Sequence, residues 1–313
     1  MIFLKPIEGL CNRMRTIDSF ISLCKKHKKE LTIIWVNDPD INCSFNTIFK
    51  PFASKNIRVI EVPYGFPEFY VTNFDSKYAN LKLKKHKKTI NTSNLNEDYL
   101  FIKNTIEQIP DAHILLCKEL RELYNSKSYQ NVTTNTMDSI FFNKVTQLIH
   151  PLINNSKTDC YIESCYRVHP QENNYTNFIL QENITKKINT ITKKFDNTIG
   201  IHIRRTDHRT AIKNSSTNKF INEIEKHLLI NPNTTFFLAT DNAKTKQDLL
   251  TKYSSKIITN TFTEFNRNNE NAILNSVIDL YCLANTTKIL GSHHSTFSQT
   301  AAHIGNISEN TVN

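Results

Sequence analysis

The chain has 313 residues, a net charge of +10 at pH 7, and 39% hydrophobic against 22% charged residues. This composition is that of a folded globular protein and excludes a disordered chain, and the length predicts about two domains. No run of about 18 apolar residues occurs, and the N-terminus is too quickly charged for a signal peptide, so neither a transmembrane helix nor secretion is expected. We therefore predict a cytoplasmic protein.

The seven cysteines are odd in number and scattered, with no CxxC and no paired zinc-ligand spacing. This predicts reduced, mostly buried thiols and no metal site. The positive charge favours anionic partners, and much of it lies in two lysine runs, residues 25–29 and 82–88. Each run is typical of a solvated helix end or loop. Because no aromatic residues interleave with them, no nucleic-acid stacking platform is indicated.

The first half of the chain alternates between strand and helix patterns. Residues 9–13 predict a turn, and residues 14–27 predict a helix with apolar positions at helical spacing. The β-branched content predicts strands at residues 2–4, 31–36, 57–62 and 112–117. The stretch from about 70 to 105 is polar and basic and gives no assignment.

A second alternating set begins near residue 181. Helices are predicted around residues 184–191, 220–228, 272–284 and 298–304, and strands at residues 198–204, 235–240 and 288–291. Strands that alternate with helices form parallel sheets. Two such sets predict an α/β protein with two Rossmann-like domains, residues 1–180 and 181–313, facing across a cleft.

Residues 200–207 carry the most specific pattern, a buried strand that ends in Arg204, Arg205 and Asp207. In parallel sheets, ligands bind beyond the carboxyl ends of the strands, and a guanidinium there offers a planar fork for phosphate. Adjacent strand residues point to opposite faces, so we expect one arginine to serve the ligand and the other to brace the loop. An Arg–Asp ion pair that closes the strand is the alternative.

Three other strand ends carry polar groups. Asp241 follows the strand at 235–240, where an N-cap of the next helix is favoured over a ligand contact. Residues 290–302 place glycine and a hydroxyl-rich loop before a helix, a pattern suited to phosphate and equally to an ordinary loop. Asn12 and Arg13 follow the first strand, where we expect them to point into the cleft, with a surface arginine at a helix start as the alternative.

Several common motifs are excluded. Residues 38–40 read Asp-Pro-Asp, and the proline after a strand favours a turn over a cation-binding DxD motif. The chain contains no P-loop, GxGxxG, GxSxG or HExxH pattern. Their absence excludes four common enzyme classes: the usual nucleotide hydrolases, dehydrogenases, serine hydrolases and metalloproteases.

Taken in order, these segments resemble the α-1,6-fucosyltransferase and O-fucosyltransferase superfamily, which includes the nodulation fucosyltransferases. Residues 202–207, HIRRTD, resemble its HxRRTD motif, residues 9–15 its GLGNRLR turn, and residues 239–242 its ATDD segment. Residues 276–280 and 291–302 are similar to its last two motifs. The resemblance spans nearly the whole chain and is weakest in the middle third.

This resemblance implies a GT-B fold and an inverting, metal-independent transfer of a sugar, most often fucose from GDP-fucose, to a glycan or lipid-linked glycan hydroxyl. It implies that Arg204 stabilises the leaving diphosphate, with His202 and Arg205 shaping the same pocket. The other implied donor contacts are Asp241, Asp279, Ser298 and Gln299. Asn12 would face the reaction centre, beside Arg13.

The sequence departs from the family at three positions. The second acid of ATDD is Asn242, Cys11 replaces a glycine, and Ile212 stands where some members place a glutamate. The catalytic base is therefore open, with Asp207 and His208 as candidates. A different nucleotide-sugar donor, such as a UDP-sugar or a pentose donor, stays an alternative. A nucleic-acid-binding protein is a second alternative because of the net charge, although no nucleic-acid partner is expected. The lysine runs also allow peripheral contact with an anionic membrane.

Overall fold

The computed structural model describes residues 1–62, 112–114, 143, 150, 153–154, 159–170, 172–206, 209–262, 266 and 268–313. The predicted strand residues 115–117, Cys117, the stretch from 70 to 105, the lysine run at 82–88 and the candidate bases Asp207 and His208 lie outside these ranges. The described chain divides into two compact units. The first contains Met1–Phe45 and Pro51–Asn173, and the second contains Asn46–Lys50 and Asn174–Asn313.

The first unit is built on a parallel sheet in the order β3-β2-β1-β5-β4. Its strands are β1 (Ile2–Pro6), β2 (Leu31–Val36), β3 (Ile57–Val62), β4 (Ala112–Ile114) and β5 (Cys160–Ser164). Its long helix is α1 (Leu10–His27), and the short helix α2 (Phe45–Ile48) follows where the chain passes into the second unit. Strands β1, β2 and β5 are buried along their whole length, as a parallel sheet covered on both faces requires.

The second unit is built on a parallel sheet in the order β10-β9-β6-β7-β8. Its strands are β6 (Thr198–Ile203), β7 (Thr235–Thr240), β8 (Ile257–Ile258), β9 (Ile289–Ser292) and β10 (Glu309–Val312). Its helices are α3 (Glu182–Thr192), α4 (Arg209–Asn214), α5 (Thr217–Ile230), α6 (Ala243–Lys252), α7 (Glu270–Ala284) and α8 (Thr296–Gly305).

The two sheet faces of the second unit pack against different helices. Side chains alternate along β6 and β7, so Ile201 and Leu238 join one apolar cluster with Phe220 of α5 and Leu249 of α6. The opposite face meets α7. There a Cβ on Gly200 would lie 2.8 Å from Thr286 Oγ1 and 2.9 Å from Leu283 Cδ2, so only glycine allows this approach.

The predicted fold class is confirmed: both units are α/β and both sheets are parallel. The predicted turn at residues 9–13 is wrong, because α1 already begins at Leu10. The backbone N–H groups of Asn12 and Arg13 both donate to the Gly9 carbonyl, at 2.9 and 3.1 Å, so the glycine caps the helix. The sequence prediction also missed α4, α6, β5, β8 and β10. In α6 only Thr245 and Leu249 are buried, which gives no apolar stripe to detect.

The cysteine prediction agrees with the described residues, in which six cysteines are buried and form no disulfide. The lysine run at 25–29 lies at the end of α1, as predicted for a solvated helix end. None of the helices in the described part of the chain combines the length and hydrophobicity needed to cross a bilayer.

Candidate active site

The carboxyl edge of the second sheet gathers most of the predicted site residues. Strands β9, β6 and β7 are neighbours in the sheet and end at Ser292, Ile203 and Thr240. Because they are parallel, the residues that follow them meet at one edge. Arg204, Asp241 and the loop that opens α8 are therefore brought together within one unit.

The turn after β6 is fixed on both sides. Arg204 N donates to Ser292 Oγ at 3.0 Å, and the same hydroxyl donates to the His202 carbonyl at 3.1 Å. On the other side, the Asp241 carboxylate accepts from Arg205 N at 2.6 Å and from the Thr206 hydroxyl at 2.7 Å. The turn is thus held by side chains from both neighbouring strands, and the half-buried Arg204 projects from a fixed backbone.

Asp241 is not the helix cap that the sequence favoured. Asn242 caps α6, with its Oδ1 accepting from Thr245 N at 2.8 Å. The residue that departs from the family's second acid therefore has a structural role, since asparagine and aspartate are equally good N-caps. This leaves the Asp241 carboxylate to hold the arginine turn.

Of the two adjacent arginines, Arg205 is the one that supports the loop. Its Nε donates to Thr217 Oγ1 at 3.1 Å, its Nη1 to the Arg204 carbonyl at 2.8 Å, and its Nη2 to the Ser215 carbonyl at 2.5 Å. Every nitrogen of the guanidinium therefore has a protein acceptor. Arg205 therefore supports the loop, and a ligand contact of Arg204 stays a prediction.

His202 is buried below this turn. Its Nδ1 lies 3.2 Å from the hydroxyl of Ser295, the N-cap of α8, and its ring packs 4.8 Å from the Phe297 ring. Burial lowers the pKa of His202 to about 4, against the opposing effect of Asp241 and with the help of Arg204. The imidazole is therefore neutral at pH 7 and positions the start of α8.

The start of α8 lies in the segment for which the sequence favoured a phosphate cradle and an ordinary loop equally. Its N-cap, Ser295, is non-helical and makes no side-chain capping bond, so the first N–H groups of the helix receive nothing from that hydroxyl. Before it, His293 N donates to Ser215 Oγ at 2.8 Å, and His294 has a φ of 52°. The sharp turn aims the chain into the helix, where N–H groups and the helix dipole favour an anion.

Ser298 and Gln299 lie in the first turn of α8 but differ in exposure. Ser298 is fully buried, and its hydroxyl donates to the Ser295 carbonyl at 3.1 Å and to Glu309 Oε1 at 3.3 Å. It is better placed to hold α8 against β10 than to contact a phosphate. Gln299 is half-buried.

Asp279 lies on α7 and is buried. Burial raises the pKa of this carboxyl to about 8, although Lys246 and the Asn260 side chain oppose the shift. Its Oδ1 has no hydrogen-bond partner among the described residues.

The structure corrects the expectation that Arg13 points into a cleft. Arg13 is completely buried in the first unit, where Nε donates to the Glu8 carbonyl at 2.8 Å, Nη1 to the Val36 carbonyl at 2.6 Å and Nη2 to Asp38 Oδ2 at 2.6 Å. Its guanidinium also lies 5.0 Å from the centre of the Trp35 ring. Arg13 therefore ties β1 to β2 and is closed to ligands.

The DxD-like residues form a turn, as predicted. Asp38 N and Ile41 N each donate to the other residue's carbonyl, and Asp38 Oδ1 accepts from Asp40 N at 2.9 Å. In the part of the chain that the structure describes, no three histidine, cysteine or acidic side chains are arranged to hold a metal ion.

Asn12 stays half-buried beside Arg13. Its Nδ2 donates to Glu8 Oε2 at 2.8 Å, and its Oδ1 accepts from Arg15 Nη2 at 2.9 Å. Glu8 has a φ of 65°, a strained conformation for a residue with a side chain, at the carboxyl end of β1. This strain could not be predicted from the sequence, because the glycine that usually relieves it is the next residue, Gly9.

Sequence reasoning missed Ser292 and Ser295, which position the Arg204 turn and the start of α8, and Lys246 and Asn260, which lie close to Asp279. Ser292 and Ser295 lie inside the predicted phosphate segment, so their position could have been found. Lys246 and Asn260 belong to α6 and to the end of β8, neither of which the sequence predicted.

No protein-family model matches the chain, and no curated protein matches it in sequence. Solved structures do match it over nearly its whole length. NodZ alpha-1,6-fucosyltransferase co-crystallized with GDP gives a TM-score of 0.58 at 14% identity, covering 96% of this chain and 91% of that chain. The chain has the fold of the fucosyltransferases.

Two further structures carry this fucosyltransferase fold. Arabidopsis thaliana FUT1, as a mutant in complex with GDP, gives a TM-score of 0.55 at 12% identity and covers 99% of this chain and 69% of its own. POFUT1 in complex with GDP gives 0.51 at 11% identity, covering 99% and 98%. At these identities the likeness establishes the architecture, of the GT-B type expected from the motifs.

Proposed function

We propose that this protein is a glycosyltransferase that moves a sugar, most favourably fucose from GDP-fucose, to a glycan hydroxyl. The observation that carries this proposal is the Arg204 turn, held between Ser292 and Asp241 beside the first turn of α8. The support from the fold is that the three similar structures reported above are fucosyltransferases, each determined with GDP.

The chemistry follows from where charge develops. Breaking the bond between the sugar and the diphosphate builds negative charge on the leaving phosphate. Fixed donors aimed at that charge lower the barrier, because they need no reorganisation during the reaction. Arg204 supplies a guanidinium fork, and the open N–H groups of α8 supply backbone donors. We assign Gln299, in the first turn of α8, to the same phosphates.

The other residues of this edge support Arg204. Asp241 holds the backbone of the turn, Arg205 ties it to the segment before α5, and neutral His202 holds the loop that opens α8. Asp279 accepts from the nucleotide base. With phosphate charge balanced by these groups, we propose that transfer needs no metal ion and inverts the configuration at the sugar carbon.

The acceptor side of the reaction belongs to the first unit in this proposal, with Asn12 as its polar contact. The acceptor hydroxyl must lose a proton, and Asp207 and His208 stay the predicted acceptors of that proton. We propose a glycan or lipid-linked glycan as the acceptor, a cytoplasmic location, and contact of the lysine run at 82–88 with anionic lipid.

A thermal-shift panel of GDP, UDP, ADP and CDP, each with magnesium and with EDTA, tests the donor. A nucleotide at about 100 times its dissociation constant stabilises the fold by about 2.7 kcal/mol. We expect a GDP-selective rise in Tm that survives EDTA. A rise with UDP alone would move the donor to a UDP-sugar, and no rise with any nucleotide would contradict the proposed site.

A further inference from the structure

Two apolar side chains project into solvent at the end of α5. Leu229 is 84% exposed and Ile230 is 81% exposed, more than the other large apolar side chains of the described residues. The face of α5 that packs against the sheet carries Phe220, Ile224 and Leu228, spaced four residues apart. Each helical residue is turned by about 100° from the one before it, so the two exposed residues lie off that face. They therefore contribute little to the packing of the second unit.

This apolar tip, Leu229 and Ile230, lies at the amino edge of the second sheet, where β6, β7, β8 and β9 begin. Helix α5 starts at the opposite edge, since the hydroxyl of its first residue, Thr217, accepts from Arg205 Nε. The helix has 14 residues and so runs back along the sheet for about 20 Å. The tip is therefore at the opposite edge from the candidate active site.

The amino edge around the tip is basic. It consists of the last two turns of α5, the last turn of α6 and the segments that lead into β6, β7, β8 and β9, and it carries six lysines against three acidic residues. The lysines are Lys193, Lys194, Lys226, Lys252, Lys256 and Lys288, and the acidic residues are Asp196, Glu223 and Glu225. Glu223 and Glu225 each form an ion pair with one of these lysines, so the edge keeps a net positive charge.

Contacts show that part of this charge is close to the tip. Lys256 Nζ donates to the carbonyl of Pro232, two residues after Ile230, at 2.6 Å. Because this acceptor is a neutral carbonyl, the contact does not cancel the charge of the lysine. Burial and then nearby Lys288 lower the pKa of His227, in the last turn of α5. Apolar and positively charged groups are thus combined on one surface.

An anionic lipid surface fits this combination better than a protein or a nucleic acid. Two projecting side chains bury far less than the roughly 800 Å² per partner of a stable protein interface, whereas apolar side chains that enter a bilayer need no shaped partner. The lysines attract anionic headgroups and repel a second copy of the same edge. A nucleic-acid backbone would pair with the lysines but would leave the apolar tip in water.

We propose that the second unit binds anionic membranes through this amino edge, with Leu229 and Ile230 inserted at the level of the headgroups and the lysines in contact with their charges. The candidate active site, at the opposite edge of the same sheet, then faces away from the lipid. This inference does not rest on the proposed sugar transfer, and it concerns a different surface from the lysine run at 82–88.

Flotation of the full chain with lipid vesicles tests the apolar tip. We expect wild type to bind vesicles of equal parts phosphatidylcholine and phosphatidylserine at physiological salt, and to bind pure phosphatidylcholine at least about tenfold more weakly. The double variant Leu229→Ser/Ile230→Ser should weaken binding to the anionic vesicles about tenfold or more, because its side chains gain nothing from leaving water. Its Tm should not fall, since both positions are exposed. Ile179→Ser, at another exposed isoleucine, should bind as wild type does.

The lysines have a control that is matched in charge. Lys193→Gln/Lys194→Gln should weaken binding to the anionic vesicles about tenfold, because lysines close to a charged surface contribute directly to binding. Lys186→Gln/Lys187→Gln removes the same net charge from exposed positions in the middle of α3. We expect this control to bind within about twofold of wild type, because salt screens charges that lie further from the lipid.

Three results would overturn the proposal. The first is that wild type does not bind the anionic vesicles. The second is binding that the apolar double variant does not alter, which would place the contact elsewhere, such as at the lysine run at 82–88. The third is a wild-type dimer in light scattering that the double variant loses, which would show that a second copy covers the tip.

Two further variants keep the test decisive. If the double variant does not fold, Ile230→Ser alone gives the same comparison. Arg204→Ala should bind the vesicles as wild type does, because Arg204 lies at the opposite edge of the sheet. Membrane binding and sugar transfer can therefore fail separately.

Discussion

Both sheets place an arginine at their carboxyl edge, and the two edges use it differently. In the first unit Arg13 is completely buried and donates to two carbonyls and the Asp38 carboxylate. In the second unit Arg205 takes the bracing role, and Arg204 stays half-buried next to an open helix start. An arginine at a strand end can therefore be a structural support as in the first unit, and its position alone is weak evidence for a ligand.

The largest effect should come from breaking the brace of the first unit. Arg13→Met removes the guanidinium and deprives Asp38 Oδ2 and two carbonyls of their donor. Breaking a buried pair in this way costs about 3–5 kcal/mol of unfolding free energy. Urea denaturation measures it, with Arg13→Lys expected to retain part of the stability. A loss below about 1 kcal/mol would show that the network around Arg13 is not a brace.

Replacing Arg204, at the carboxyl edge of the second sheet, should lower turnover more than it lowers stability. Arg204→Ala removes a donor aimed at the leaving phosphate, and such losses lower kcat about 10²–10³-fold. Arg204→Lys keeps the charge without the fork and should recover only part of the rate. Sugar transfer or hydrolysis of the donor gives the rate, and the Tm reports the fold.

Arg209→Ala is the control for this prediction, because Arg209 is exposed on α4. We expect it to turn over at the wild-type rate. Wild-type turnover by Arg204→Ala would show that Arg204 has no part in the mechanism. The arginines at the two sheet edges would then not differ in function.

The stability of the protein should depend on pH through Asp279, a buried carboxyl of the second unit. Its folded pKa is about 8, well above the ordinary value near 3.9. Between these values the unfolded chain releases the proton and the folded chain keeps it, so Asp279 makes stability fall as pH rises from about 4 to 8. Asp279→Asn should remove this slope, because the amide does not titrate.

Tm values of wild type and Asp279→Asn at pH 5 to 8 test this prediction. Asp248→Asn, at an exposed position on α6, controls for the loss of one carboxylate. Parallel curves for wild type and Asp279→Asn would mean that the buried carboxyl does not titrate in this range.

The smallest predicted effect concerns helix capping, which the structure assigns to Asn242 and not to its neighbour Asp241. Asn242→Ala removes the cap of α6 and should cost about 1 kcal/mol, whereas Asn242→Asp should be neutral. Ser216 occupies the N-cap of α5 without a capping bond, so Ser216→Ala should cost clearly less. Equal losses at the two positions, measured by urea denaturation, would show that the Asn242 side chain is not a working cap.

The parallel sheets and the Arg204 segment could be predicted from the sequence for a physical reason. Buried parallel strands such as β6 are continuous apolar runs, and a charged pair at the end of such a run stands out. The edge strand β10 does not stand out, because three of its four residues are polar.

The division of labour at the site could be predicted only in part. Alternation indicated that Arg204 and Arg205 differ, but the acceptors of Arg205 lie 10 and 12 residues further along the chain. The cap of α6 could not be assigned between Asp241 and Asn242, since both residue types cap helices well.

The short segment Asn46–Lys50 has a consequence for how the chain is made. It precedes most of the first unit yet packs in the second, where Phe49 meets Phe178 with ring centres 5.1 Å apart and Lys50 N donates to the Ile179 carbonyl at 2.7 Å. During synthesis this piece emerges long before the rest of its unit and has to wait for it. A fragment that starts at Asn174 would lack it and expose the apolar surface around Phe178, so separate expression of the second unit calls for the segment to be supplied as well.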